Sequence, residues 1–167
     1  TPDWDTAGAN FEKATTGTII IKMALNQRQL EEAKKYAKEA ASASRRTLTR
    51  WTPDWDTAGA NFEKAATLYK TLKMYDESVD CFIKAGDAFY KCDIVYNAGK
   101  NYESAGNVRR DEKKLAEAAN FFERAGQFFL EDGKPDRACE VLLKAAKTLE
   151  ANVKKDIIFK DSPEITA

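Results

Sequence analysis

Large apolar residues return along this chain every twenty positions, at Phe62, Phe82, Tyr102, Phe122 and Leu142. Three residues after each stands an alanine: Ala65, Ala85, Ala105, Ala125 and Ala145. Small residues also recur one place later, at Ala66, Gly86, Gly106, Gly126 and Ala146, and Gly59, Val79, Gly99, Ala119 and Cys139 stand three places before the large ones. Seven places after them come Tyr69, Phe89, Arg109, Phe129 and Leu149, an apolar row broken only by Arg109. Steps of 3, 3 and 4 keep to one stripe of a 3.6-residue helix, whereas a strand would alternate. Each twenty-residue unit is therefore one helix. At about 15 residues such a helix is about 22 Å long. The four or five residues remaining suit only a tight turn, so successive helices should run antiparallel.

Two units make a forty-residue hairpin, and stacking them gives the predicted fold, an all-α, TPR-like α-solenoid of about six helices. Boundary signals agree with the period. Asp54 or Asp56 is placed to cap a helix over 57–69, Asp76 starts the next, Asp93 precedes a third, Asp111 a fourth, and Asp132-Gly133-Lys134-Pro135 supplies a stop and a restart. Upstream, residues 27–43 read as another amphipathic helix carrying Leu30, Ala33, Tyr36, Ala37 and Ala40 on one face.

Both ends depart from the repeat. Residues 1–14 copy 52–65 letter for letter and run into Thr15-Thr16-Gly17, so the copy is expected to leave its helix incomplete. Residues 1–22 are read as a duplicated appendage with Met23 as the original start, residues 23–150 as the helical-repeat domain, and residues 151–167 as a divergent tail, since the landmark series stops near Glu150.

Composition narrows the chemistry. The chain has 167 residues, 43% hydrophobic and 32% charged, with 27 basic and 27 acidic side chains and no histidine. That balance fits one globular helical domain and argues against a partner held by bulk charge, nucleic acid included. Without histidine, the imidazole triads and most catalytic zinc sites are excluded. Cys81, Cys92 and Cys139 are too widely spaced to form a metal set and read as buried, reduced thiols. Gly133-Lys134 is helix punctuation without the strand a phosphate loop requires. Glu31, Glu32, Glu112 and Glu117 sit among lysines and arginines as surface pairs. No catalytic constellation emerges, no cofactor is expected, and no apolar run approaches a membrane span. Nothing reads as a signal peptide.

Two features exceed this background. The connection 44–54 places Leu48, Trp51 and Trp55 beside Arg45, Arg46 and Arg50, a composition suited to an anionic membrane interface or a protein hot spot, or alternatively to packing the loop on the solenoid. The second is Arg109-Arg110-Asp111-Glu112-Lys113-Lys114, with four cations in one interhelical loop, either a binding patch or a solvated turn.

From about Gln27 to Glu150 the chain resembles the N-terminal half of a soluble NSF-attachment protein, the gamma branch more than the alpha or beta ones. The residues carrying the likeness are Trp51-Thr52-Pro53-Asp54-Trp55-Asp56, then Phe62-Glu63-Lys64-Ala65-Ala66, and Glu131-Asp132-Gly133-Lys134-Pro135-Asp136-Arg137-Ala138. The resemblance implies an adaptor and not an enzyme: a cytoplasmic protein, peripheral on membranes, that clasps SNARE helical bundles and recruits the N-ethylmaleimide-sensitive fusion ATPase. Under it, Leu48, Trp51, Trp55, Arg45, Arg46 and Arg50 become the membrane-contact loop, and Arg109, Arg110, Lys113 and Lys114 become SNARE-binding candidates. The family's ATPase-engaging C-terminal helices have no counterpart here, which implies partial activity. The competing expectation is a TPR-like scaffold that captures an extended peptide or carboxylate tail, although its usual 34-residue repeat differs from the forty-residue pair seen here.

Overall fold

Six helices account for the computed structural model, which describes residues 4–45 and 52–160, with side chains described for 18–45 and 52–154. They are α1 (Trp4–Ala43), α2 (Trp55–Thr71), α3 (Tyr75–Lys91), α4 (Val95–Asp111), α5 (Leu115–Glu131) and α6 (Pro135–Lys160). Among the described residues there is no strand. Helices α2 to α5 are 17 residues each, so only three residues are left for each turn. This is shorter than the four or five expected, and it leaves Asp111 as the last residue of α4, not a signal ahead of α5.

One turn geometry recurs in that space. Lys73, Asp93, Lys113 and Gly133 all adopt positive φ, at 61°, 64°, 64° and 72°. The amide after each donates back to the carbonyl five residues earlier: Met74 to Tyr69 and Ile94 to Phe89 at 2.9 Å, Lys114 to Arg109 at 2.9 Å, and Lys134 to Phe129 at 2.8 Å. These are Schellman closures, which satisfy carbonyls that a helix end leaves orphaned. Only the fourth has the glycine that left-handed backbone favours. Lys113→Gly is accordingly expected to stabilise the fold by about 0.5–1 kcal/mol, read as a higher denaturant midpoint at unchanged slope.

Small residues against rings hold the hairpins together, as the sequence pattern predicts. A Cβ added at Gly86 would lie 2.7 Å from the Tyr102 ring, and one at Gly106 would lie 2.8 Å from Phe122. Gly59 meets Phe89, Gly99 meets Phe129, and Gly126 meets Leu142 in the same way. Each pair is equidistant in sequence from the turn between its two helices, which is the signature of antiparallel packing. Ala65, Ala85, Ala105 and Ala125 are fully buried, as are Phe122 and Phe129. Leu142 and Leu149 occupy the same register in α6 but are exposed.

Helices pack chiefly on their sequence neighbours. Alternate helices are linked by side chains: Lys100 to Glu63 (3.5 Å) and Lys70 to Asp111 (3.7 Å) join α2 and α4, while Arg137 and Lys144 reach Glu103 between α6 and α4. On the other side the Tyr90 ring lies 5.2 Å from Phe128 and its hydroxyl donates to Glu131, joining α3 and α5. The stack is thus two layers, with even helices in one and odd helices in the other.

Helix α1 differs from expectation. It runs unbroken for 40 residues from Trp4, through Gly17 and past Met23, so the expected division at 22 falls inside an element. A single interior glycine costs about 1 kcal/mol and does not by itself end a helix. Packing begins where the amphipathic pattern begins: residues 18–28 are all exposed, including Ile19, Ile20, Ile21 and Met23, whereas Ala33 and Ala40 are fully buried. Helix α6 likewise continues past Glu150 to Lys160.

Candidate functional site

The connection between α1 and α2 is pinned at its base. Asp54 donates its amide to the Ala43 carbonyl (3.0 Å), and its carboxylate caps α2 by accepting from the Thr57 amide (3.1 Å). Arg45 is exposed. Trp55 is half-buried, packed with Ala43, Ala58 and Ala88, and the Lys91 ammonium lies 4.2 Å from its ring centre. Forty residues on, Val95 and Phe128 stand where Trp55 and Ala88 do, so the large and small partners have changed places between repeats. Such volume-conserving exchange is well tolerated. Arg46, Leu48, Arg50 and Trp51 lie outside the described residues.

The cationic cluster is built around Arg109, which occupies the place that phenylalanine takes in α3 and α5. Its side chain is only 13% exposed, and its guanidinium contacts Asp76 and Glu112, each at 2.6 Å, and Glu117 at 3.0 Å. Lys114 adds contacts to Glu112 (3.2 Å) and Asp76 (3.6 Å). The Arg109 hydrogen bond, then the Lys114 charge, hold the Asp76 carboxyl below its ordinary range. Arg109 therefore ties α3, α4 and α5 together, and Lys114 shares its acids. Arg110, Lys113 and Lys114 are all exposed; Lys114 is engaged with the acids, Arg110 lies 5.8 Å from the Phe122 ring centre, and Lys113 stands at the tip of the turn. The apolar row read from the sequence located Arg109 as a break; Glu112 is its i+3 neighbour, but Asp76 on α3 and Glu117 on α5 reach it across helices, and no local spacing announces them.

Between α1 and α3 lies a cleft of about 530 Å³ that the sequence did not reveal. Phe62, Tyr69 and Cys81 line it together with Asp80, Lys84 and Asp87. Burial pushes the Cys81 thiol up to about 11, so it stays protonated and unreactive near neutrality. Cys92 is half-buried, and Cys139, expected inside, is exposed on α6 because that helix presents an uncovered face. Tyr102 donates to Asp87 at 2.7 Å; burial, reinforced by that bond, raises its hydroxyl to about 12. Among the described residues no group of three or more histidine, cysteine or carboxylate side chains could hold a metal, and no helix is long and apolar enough to cross a membrane.

The family model described as soluble NSF attachment protein, SNAP, matches residues 24–157, from the exposed part of α1 through α2 to α5 and into the last turn of α6. The chain belongs to the soluble NSF attachment protein family. Within that family, it is similar to a gamma-soluble NSF attachment protein of Dictyostelium discoideum, 31% identical over 119 residues that cover 71% of this chain and 37% of the relative. A gamma-soluble NSF attachment protein of Arabidopsis thaliana is 30% identical over 122 residues, covering 73% of this chain and 42% of the relative. The chain thus spans about two fifths of these relatives' length. Two of the three stretches that carry the resemblance are turn chemistry: Asp54 caps α2, Gly133 takes the left-handed position, and Pro135 opens α6, where a missing amide costs nothing; the third, residues 62–66, is the buried stripe of α2.

Proposed function

We propose that this chain works as an adaptor of the SNAP type, binding assembled SNARE helical bundles and linking them to the N-ethylmaleimide-sensitive fusion ATPase. The observation that carries the reading is the family match across residues 24–157 on a two-layer stack of helices. A stack of this kind offers an extended surface, so many modest contacts can replace a deep pocket. Arg110 and Lys113 are the cations best placed to meet an acidic bundle, whereas Arg109 and Lys114 are already engaged within the molecule. The arginine and tryptophan loop around Leu48 and Trp51 suits peripheral contact with an anionic membrane, consistent with a cytoplasmic protein that visits membrane surfaces. The matched region covers less than half of the relatives, so SNARE binding is the part of the activity assigned to the residues described here.

The test is retention of a preassembled SNARE bundle on the immobilised chain, beside a single free C-terminal peptide, at low and high salt. The bundle is expected to be held at low salt and released at high salt, with Arg110→Glu plus Lys113→Glu reducing retention at low salt. Retention of the peptide without the bundle would replace the adaptor reading with the TPR-like scaffold.

A further inference from the structure

The cleft between α1 and α3 marks a seam of the stack that lacks the side chains closing the next one. Helices α4 and α5 follow α2 and α3 in a forty-residue register, and α1 aligns with α3 across 46 residues, which matches Ala33, Ala40 and Ala43 to Val79, Gly86 and Phe89, all buried. Between α3 and α5 the seam is closed by rings. Tyr90 lies 5.2 Å from Phe128, and Tyr102 of α4 lies 5.2 Å from Phe128 and 6.4 Å from Phe121. Between α1 and α3 the counterparts of Ile83, Asp87 and Tyr90 are Ala37, Ala41 and Ser44, and the counterpart of Phe121 is Cys81. Trp55 compensates at one place only, where Ala88 stands for Phe128. The other four exchanges all remove volume, and the space they leave is the cleft of about 530 Å³, floored by Phe62 and Tyr69 of α2. Protein interiors close gaps much smaller than this, and a cleft of this size suits a ligand.

The two ends of the cleft differ in charge. Glu77, Asp80, Lys84, Asp87 and Lys91 line one rim, following one another along α3 at steps of 3 and 4. The middle three are engaged within the molecule: Asp80 holds Lys84 at 2.5 Å, and Asp87 accepts from Tyr102 at 2.7 Å. Glu77 remains at one end, beside Tyr69 and Cys81. At the other, about 21 Å away along α3, stand Arg45 and Lys91. Neither Glu77 nor Arg45 has an ion-pair partner among the described residues.

We propose that this cleft takes one amphipathic helix of a partner protein, laid antiparallel to α3, with acidic residues in its first turn against Arg45 and Lys91 and basic residues in its last turn against Glu77. Two large apolar side chains, two turns apart, occupy the space over Cys81 and beside Ala41 and Ser44. Both walls are helices, so a third can set its ridges between them as the helices of the stack do. The direction follows from charge, and it agrees with the acid-first, base-last preference that the helix dipole gives any helix. An assembled helical bundle turns its apolar stripes toward its own core and cannot offer one here. The site is therefore separate from the SNARE-binding surface proposed above.

The test uses the whole 167-residue chain and a labelled alanine-based helix of about 15 residues, with two phenylalanines seven apart, glutamates in its first turn and lysines in its last. Fluorescence anisotropy is expected to show saturable binding. Glu77→Lys should weaken it about fivefold or more, and a peptide with glutamates in place of the last-turn lysines should regain affinity for that variant. Cys81→Phe and, separately, Ala41→Leu refill the cleft from opposite walls. Each should abolish peptide binding, with helicity unchanged by circular dichroism and with retention of an assembled SNARE bundle intact. Absence of saturable binding to the wild-type chain would overturn the proposal, as would binding indifferent to both refilling substitutions. Loss of bundle retention together with peptide binding would overturn it by making the cleft part of the bundle surface. Phosphatidylcholine vesicles floated by the wild-type chain but not by Cys81→Phe, with no peptide bound, would assign the cleft to a lipid chain instead.

Discussion

Replacing Phe122 with alanine is expected to cost about 3–5 kcal/mol, enough to bring a domain of ordinary stability close to unfolding. Phe122 is fully buried at the centre of the stack. Its ring fills the space above Gly106, where an added Cβ would be 2.8 Å away, and the Arg110 guanidinium lies over its face. Truncation removes the ring from α4 and α5 at once, and neighbouring rigid helices can collapse only partly into the cavity. A urea titration measures the effect, with the midpoint falling sharply. A loss below about 1 kcal/mol would mean that the ring is not a principal packing element. Phe62→Ala offers the contrast, because its ring is near the α1 end of the stack and keeps slight exposure.

Arg109→Leu is expected to destabilise the chain by about 2 kcal/mol at neutral pH, between the near-zero value of an exposed ion pair and the larger cost of breaking a buried one. The leucine restores the apolar row, yet it leaves Asp76, Glu112 and Glu117 with only the Lys114 ammonium among them. The acid dependence distinguishes this cause from a packing loss. The Asp76 carboxyl is held below its ordinary value by Arg109 first and Lys114 second. A depressed carboxyl contributes stability above its unfolded pKa, and that contribution disappears as pH falls through the folded value. The gap between wild type and Arg109→Leu should therefore be widest near neutrality and narrow as the solution is taken below the ordinary carboxylate range. Thermal midpoints of both proteins from neutral to strongly acid pH read it directly, and a gap independent of pH would point to lost packing of the arginine stem.

The sequence reveals the helices more fully than the site. A strict twenty-residue spacing of rings and alanines identifies the packing stripe, because helical period and burial together dictate it, and the buried alanines stand where that spacing places them. Turn geometry was legible at Gly133 alone. Lys73, Asp93 and Lys113 adopt the same left-handed backbone without a glycine to announce it, although their register with Gly133 carried the information. The long α1 was hidden because the copied segment at residues 1–14 is followed by Thr15-Thr16-Gly17, residues of poor helix propensity, and propensity is a weak guide once the flanking sequence favours helix. The Arg109–Asp76 pair, 33 residues apart, and the α1–α3 cleft depend on which helices become neighbours, so they become visible only when the stack is assembled. Trp55 shows the same limit: composition left an interface and packing on the solenoid both open, and tertiary packing places part of its ring among three alanines.

Because each rod leans mainly on the one before and the one after it, disruption at one station reaches the rest only through the intervening links. Terminal rods have a single such link, and interior ones have two. Opening should therefore begin at the extremities and advance inward, leaving amide protons of α3 and α4 the slowest to exchange with solvent. A partner spanning several rods would clamp those partial openings together, so that occupancy would sharpen a graded melting curve into a steeper one.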